Sequence, residues 1–430
     1  MRALAQRTTL AIFVAGAMVV CRAPRACGGV SVRFGDVVSL AGNALAQFDG
    51  DRIDRLALLS CIDASCRPIP FQIDECDARG QWALDHGPEP TADEPPGVLD
   101  GNDVLLFMAA DAGDHALRTE LPRSLPAAEI GVHDPLDGTM RWVYLVRYPR
   151  AAPRAAAAYV RYDPLTDRVC GARVSLGFDR GVPDYLACTD GAAADANLLD
   201  RLKVRAAATF LFGLLRFSRS EDDLTTQFSG WREGPIRVIR RQRQWVRIGW
   251  GIRSPTFGSY TYFYRDFAEL PVGLSLNFPP HYFFGNIVVR AVLDFRDLRG
   301  WSLVLPSMAA PIAIDGTMTA QKEALNSLPD SWFALLGPHV TLVQTLDVSP
   351  SLASVRRRLY YREALAARDP PETVPGAEPA VGYQLDQWER VGAGAHQLAA
   401  VSYALPPDVD VGAFMAARNA PLQTTVRTLP

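Results

Sequence analysis

The chain has 430 residues, more than one domain usually holds, so two domains are expected. Its 48% hydrophobic and 21% charged residues are ordinary for a globular protein and exclude a disordered one. A formal net charge of −3 excludes a global attraction to nucleic acid or to an anionic membrane.

The amino end reads as an export signal: Arg2 and Arg7, an uncharged apolar run over 8–20, then small residues. We place the signal at residues 1–26. The run is well short of the ~20 residues that span a bilayer, so no transmembrane segment is expected in the mature chain. The expected location is periplasmic or extracellular. A lipid anchor on Cys21 or Cys27 is the weaker alternative, because Met18-Val19-Val20 lacks the small residue wanted beside an acylated cysteine.

There are seven cysteines, and removal of Cys21 with the signal leaves an even six. An even set in an exported chain points to disulfides. Cys61 and Cys66 flank a short turn, Cys170 and Cys188 bracket an expected hairpin, and Cys27 with Cys76 completes the set. A cysteine metal site is disfavoured, because no CxxC occurs and the six histidines are scattered.

Residues 27–195 read as an N-terminal β-domain. Runs of about five strand-forming residues recur at 30–34, 55–59, 69–73, 104–108 and 142–146, separated by Gly, Asp and Pro. The stretch 86–97 (HGPEPTADEPPG) is an expected surface loop. Residues 196–430 read as a larger antiparallel β-sandwich, with longer and more aromatic strands at 209–217, 235–248, 258–265, 287–295, 301–305, 339–346 and 355–361. Minor helices are expected at 320–328 and 411–417, the latter opened by Asp408 and Asp410, and a last strand at 421–429. The fold class is therefore all-β, with two sandwich-like domains. An outer-membrane barrel is disfavoured, because many strands carry arginine on both faces.

Three constellations could carry function. In the first, the turn Asp100-Gly101-Asn102-Asp103 offers hard oxygen donors, so Asp100, Asn102 and Asp103 are candidates for a structural Ca²⁺. The spacing is not that of an EF-hand, and the plainer reading is a turn whose side chains cap their own backbone. No other cofactor is expected.

In the second, strict alternation along the strand after Pro235 puts Arg237, Ile239, Arg241, Arg243, Trp245 and Arg247 on one face. Guanidiniums bind carboxylates in pairs and a tryptophan stacks on a sugar ring, so this face suits an acidic polysaccharide. The alternative is pairing with nearby acids such as Asp266, Asp294 and Asp297.

In the third, Tyr260, Tyr262 and Tyr264 share a strand face, and an aromatic loop follows at 277–282. His281 and Tyr282 are the candidate bases for a β-elimination in which Arg243 would neutralise a uronate. Packing between sheets is the plainer role of the tyrosines.

The stretch Pro70-x-Gln72-Ile73-Asp74-Glu75, followed by Asp100-x-x-Asp103-x-Leu105-x-Phe107, resembles the N-terminal part of uncharacterised secreted bacterial β-sandwich proteins found near polysaccharide lyases. Val104 stands where an acid is the commoner choice in that pattern. Glu233-Gly234-Pro235-Ile236-Arg237-Val238 is similar to the strand that opens the large sandwich of lyase-like and mutarotase-like folds. The resemblance implies the two-sandwich architecture, while the expected carbohydrate contact through Arg237, Arg241, Arg243, Trp245 and Tyr262 rests on the arginine and tyrosine strands themselves. A non-catalytic envelope or assembly protein that contacts other proteins is the alternative. No GxSxG, HExxH or CxxCH motif is present.

Overall fold

A computed structural model describes residues 33, 35–122, 125–188, 196–210, 213–249, 252–253, 256–363, 374 and 378–429. The expected signal, Cys21 and Cys27 lie outside the described residues, and with them the Cys27–Cys76 pair. The chain is all-β with minor helices; most of its strands form two sandwich-like bodies, and strands within 161–188 form a further four-stranded sheet. No helix among the described residues is long and apolar enough to cross a membrane.

In the first body, a three-stranded sheet (Val37–Ala41, Val104–Met108, Phe71–Asp74) faces a five-stranded one. The second sheet runs Gln423–Leu429, Ala127–His133, Met140–Arg147, Leu56–Ile62 and Ser65–Pro68. Leu40, Phe71, Leu105, Phe107, Leu56, Ile130 and Val143 fill the space between them. Leu106 and Met108 point the other way and pack on Ile236 of the second body. That two-sided burial explains why Val104-Leu105-Leu106-Phe107-Met108 is apolar without alternation. The last strand, Gln423–Leu429, is an edge of this first body, so both ends of the described chain meet there.

In the second body a ten-stranded antiparallel sheet packs against five strands, Leu215–Arg219, Leu199–Phe210, Phe284–Phe295, Ala380–Asp386 and Arg356–Arg362. Phe295, Leu303, Phe333, Leu346, Leu359 and Tyr383 make the core. The helix Val411–Asn419 starts where Asp410 accepts a hydrogen bond from Ala413 N, while the shorter helix Ala320–Ala324 passes into a 3-10 turn.

Cys61 and Cys66 are disulfide-bonded, as expected from their turn. The Cys170–Cys188 pair is not formed. Cys170 lies opposite Ser175 and Cys188 opposite Val174, on the two outer flanks of strand Val174–Asp179. Two strand spacings are roughly 9–10 Å, beyond the ~7 Å that a disulfide spans. The expected hairpin is a meander whose middle strand separates the thiols.

Candidate functional site

The two motifs singled out in the sequence meet each other. Phe71–Asp74 ends against the hairpin joining Leu224–Glu233 to Arg237–Gly249. Gln72 Oε1 accepts hydrogen bonds from Ile236 N (3.1 Å) and Arg237 N (2.9 Å). Its amide nitrogen donates to Arg237 O at 3.1 Å and to Asp74 Oδ1 at 2.7 Å. Asp74 Oδ2 accepts from Arg237 Nε at 2.5 Å. Arg232 completes the seam, donating to Ile73 O at 3.0 Å and standing 3.4 Å from both Asp74 and Glu75. The turn needs Gly234 because a Cβ there would come within 2.2 Å of the Gln72 amide.

Arg237 is therefore enclosed and not open to a ligand. Its guanidinium lies 4.6 Å from the centre of the Trp82 ring and 4.9 Å from that of Tyr262, and donates to the Tyr264 hydroxyl at 3.2 Å. Trp82 Nε1 donates to the Tyr262 hydroxyl at 2.9 Å, so Tyr262 is also buried in the seam. The tyrosine stripe is packing: Tyr262 stacks on Tyr260, and Tyr264 on Phe267.

The alternation along Arg237–Gly249 is as read, but the partners differ from those expected. Asp266, Asp294 and Asp297 are not the counter-charges. Glu89, from the proline-rich loop, takes Arg241 through its carbonyl (2.6 Å) and Arg243 through its carboxylate (2.8 Å). Arg247 pairs with Asp223 at 2.8 Å. Trp245, opposite Thr225, is half-buried on the same face. On the other face, buried Arg240 forks onto Asp167 (3.1 and 2.6 Å) and lies over Phe178.

His281 and Tyr282 do not join these arginines. They form a 3-10 turn, Pro280–Tyr282, between strands Phe267–Leu276 and Phe284–Phe295, with their rings 4.7 Å apart. Arg243 is bonded to Glu89, and among the described residues no hydrogen bond or ion pair links it to His281 or Tyr282. The turn instead belongs to an exposed ring cluster. Phe278 and Phe283 meet edge to face at 5.1 Å, and Phe284 packs on Phe210 at 5.5 Å.

The turn at Asp100–Asp103 caps itself as the plainer reading has it. Asp100 Oδ1 accepts from Asn102 N at 3.0 Å, and Asp103 accepts from Asp100 N (2.9 Å) and Cys76 N (3.0 Å). Burial, with the charges of Asp100 and Asp93 beside it, pushes the Asp103 carboxyl up to about 6. Asn102 is exposed and points at Asp77 O. Burial also pushes the neighbouring Cys76 thiol up to about 12, so it stays protonated.

Two further charged sites gave no signal in the sequence. Lys322 donates to Glu363 (2.5 Å) and Asp315 (2.7 Å), and the Tyr361 hydroxyl also donates to Glu363. Lys203 pairs with Asp294 at 2.7 Å in the core. Between the two bodies lies a cavity of about 360 Å³ lined by Val38, Phe267, Tyr403, Phe414 and Asp266. Neither oxygen of Asp266 receives a hydrogen bond, although Arg265 and Arg173 stand 3.3 and 3.8 Å away. Burial pushes this carboxyl up to about 6.

No family model matches the chain, and no curated protein matches it. Among solved structures it is similar to an alpha-mannosidase from Enterococcus faecalis V583, at 8% identity and a TM-score of 0.48, over 92% of this chain and 44% of that one. It is also similar to a protein in the glycosyl hydrolase family 38 from Enterococcus faecalis, at 7% identity and a TM-score of 0.47, over 92% and 46%. The chain thus spans less than half the length of either structure.

Proposed function

We propose that the protein is an exported protein that contacts carbohydrate through the ring cluster at 278–284 of its C-terminal body. One observation carries this reading. The large aromatic side chains exposed among the described residues are Phe278, Tyr282, Phe283 and Phe284, and all four fall in one stretch, the loop and the first residue of the strand after it. Open ring faces stack on the apolar faces of sugars, while the Tyr282 hydroxyl and the exposed His281 imidazole supply hydrogen bonds at the rim. The arginines first considered for an acidic polymer are engaged by Asp74, Glu89 and Asp223. The cluster therefore suits a neutral glycan as well as an acidic one. Export is supported by the signal-like amino end and by the Cys61–Cys66 disulfide, a bond that persists in oxidising compartments.

The alternative, an envelope or assembly protein, has its own observation. Leu214 is 82% and Leu215 54% exposed, and Leu215 pairs with Phe210 beside the rings. Aliphatic side chains offer no stacking face and favour a protein surface. A screen of neutral and uronate polymers with the full chain separates the two. Retention by at least one polymer, weakened about tenfold in a Tyr282→Ala/Phe283→Ala variant of unchanged melting temperature, is the expected result. Retention of no polymer sinks the carbohydrate reading.

A further inference from the structure

We infer that Asp93, Asp100 and Asp103 form a Ca²⁺ site that staples the proline-rich loop to the first sheet. A carboxylate oxygen from each of the three lies within 4.8 Å of the others. Oxygens so spaced fit round an ion that holds its ligands at about 2.3–2.6 Å. Asp93 decides the matter. It comes from the loop, not from the turn, and is only 4% exposed. Its Oδ2 is buried with no hydrogen-bond partner. No salt bridge to a lysine, arginine or histidine reaches Asp93, Asp100 or Asp103 among the described residues. An uncompensated carboxylate buried beside two others is costly unless a cation joins them.

The donor set identifies the ion. Three carboxylates are hard oxygen ligands that suit Ca²⁺, Mg²⁺ or Mn²⁺ over zinc. Mg²⁺ demands a tight octahedron at about 2.0–2.1 Å and gives up water reluctantly, so a site with two walled-in carboxylates favours Ca²⁺. The ligand set replaces exposed Asn102 of the sequence reading with Asp93, a residue that no local spacing would nominate.

The ion's place gives it a structural role. Asp103 also receives Cys76 N, at the end of the strand that holds Asp74. The loop that carries Asp93 also carries Glu89, the partner of Arg241 and Arg243. Calcium would therefore hold the cover in place over the arginine strand.

The test is calorimetric titration of the chelator-treated full chain with CaCl₂ and, separately, MgCl₂, alongside thermal melts. The expected result is one saturable Ca²⁺ per chain, with affinity in the sub-millimolar to millimolar range of extracellular sites (about 10⁻⁴–10⁻³ M), weaker Mg²⁺ binding and a higher melting temperature in Ca²⁺. Asp93→Asn should weaken Ca²⁺ at least tenfold, yet melt at or above the wild type without metal, because it removes an unpaired charge. Asp100→Asn, at a half-exposed position, repeats the test should the first variant not fold. No saturable binding up to about 10 mM, or equal binding by wild type and variant, overturns the assignment.

Discussion

The strand Arg237–Gly249 carries the same side chain at both ends of one face and treats the two ends differently. Along that face the side-chain exposure runs from 6% at Arg237 through 11% at Arg241 and 50% at Arg243 to 68% at Arg247. Each of the four has a carboxylate partner. At the first end the partner is Asp74, itself fully enclosed, with Gln72 and Trp82 sealing the pair. At the far end Asp223 meets Arg247 in water. An ion pair that water can replace holds little together, whereas a pair sealed from water cannot lose one member cheaply. The arginine face is thus a fastening between two bodies at one end and an ordinary solvated surface at the other.

The largest expected effect tests the sealed end. Arg237→Ala leaves the Asp74 carboxylate buried with only Gln72 and a more distant Arg232 beside it. We expect a loss of about 3–5 kcal/mol in denaturant unfolding. A loss below about 1 kcal/mol would show that the seam is wet and would erase the contrast between the ends.

Asp266 sharpens the point, because it is a carboxylate buried near two arginines but hydrogen-bonded to neither. Its pKa of about 6 in the folded chain lies above the ordinary value of 3.8, so the folded state holds the proton more tightly than the unfolded one. The associated stability is fully present below about pH 4 and is lost as the pH rises through about 6. Asp266→Asn should therefore gain roughly 2–3 kcal/mol on the wild type between pH 4 and pH 8, read from denaturant midpoints across that range. A pH-independent difference would mean that Arg265 and Arg173 compensate the charge fully.

Gly234→Ala probes the same seam without touching a charge. The added methyl would overlap the Gln72 amide at 2.2 Å, and that amide already serves Asp74, Ile236 and Arg237. A destabilisation of about 1–3 kcal/mol is expected from equilibrium unfolding, as for overpacking of a filled site.

What was legible in the sequence follows from this contrast. Period-two alternation fixed the arginine face, because side-chain direction is a local property of a strand. What that face meets is not local: Asp74 is 163 residues from Arg237, and Glu89 lies in a loop read only as exposed. One signal was present and unused. Gln72 and Asp74 interrupt an otherwise apolar strand, and polar groups in a buried strand need partners. The Cys61–Cys66 bond was legible because five residues of separation leave little choice, whereas Cys170 and Cys188 depended on counting strands between them. His281 and Tyr282 fall in a turn, as their sequence suggests, whereas the Glu89 partner of Arg243 is 154 residues away and no local pattern names it.

The smallest effect belongs to the open end. Arg247→Ala removes a 2.8 Å pair with Asp223, but Asp223 keeps a second role, accepting from Ser220 N as it caps its own turn. The guanidinium that is lost was already hydrated, so little solvation changes hands. We expect a shift of at most about 1 kcal/mol, shrinking further as salt is raised, because exposed pairs are screened over about 8–10 Å. The decisive comparison is the salt series of this variant beside that of Arg237→Ala. The sealed pair should be nearly indifferent to ionic strength, since no counter-ion reaches Asp74. Equal salt responses at the two ends would mean that exposure does not set what these arginines contribute.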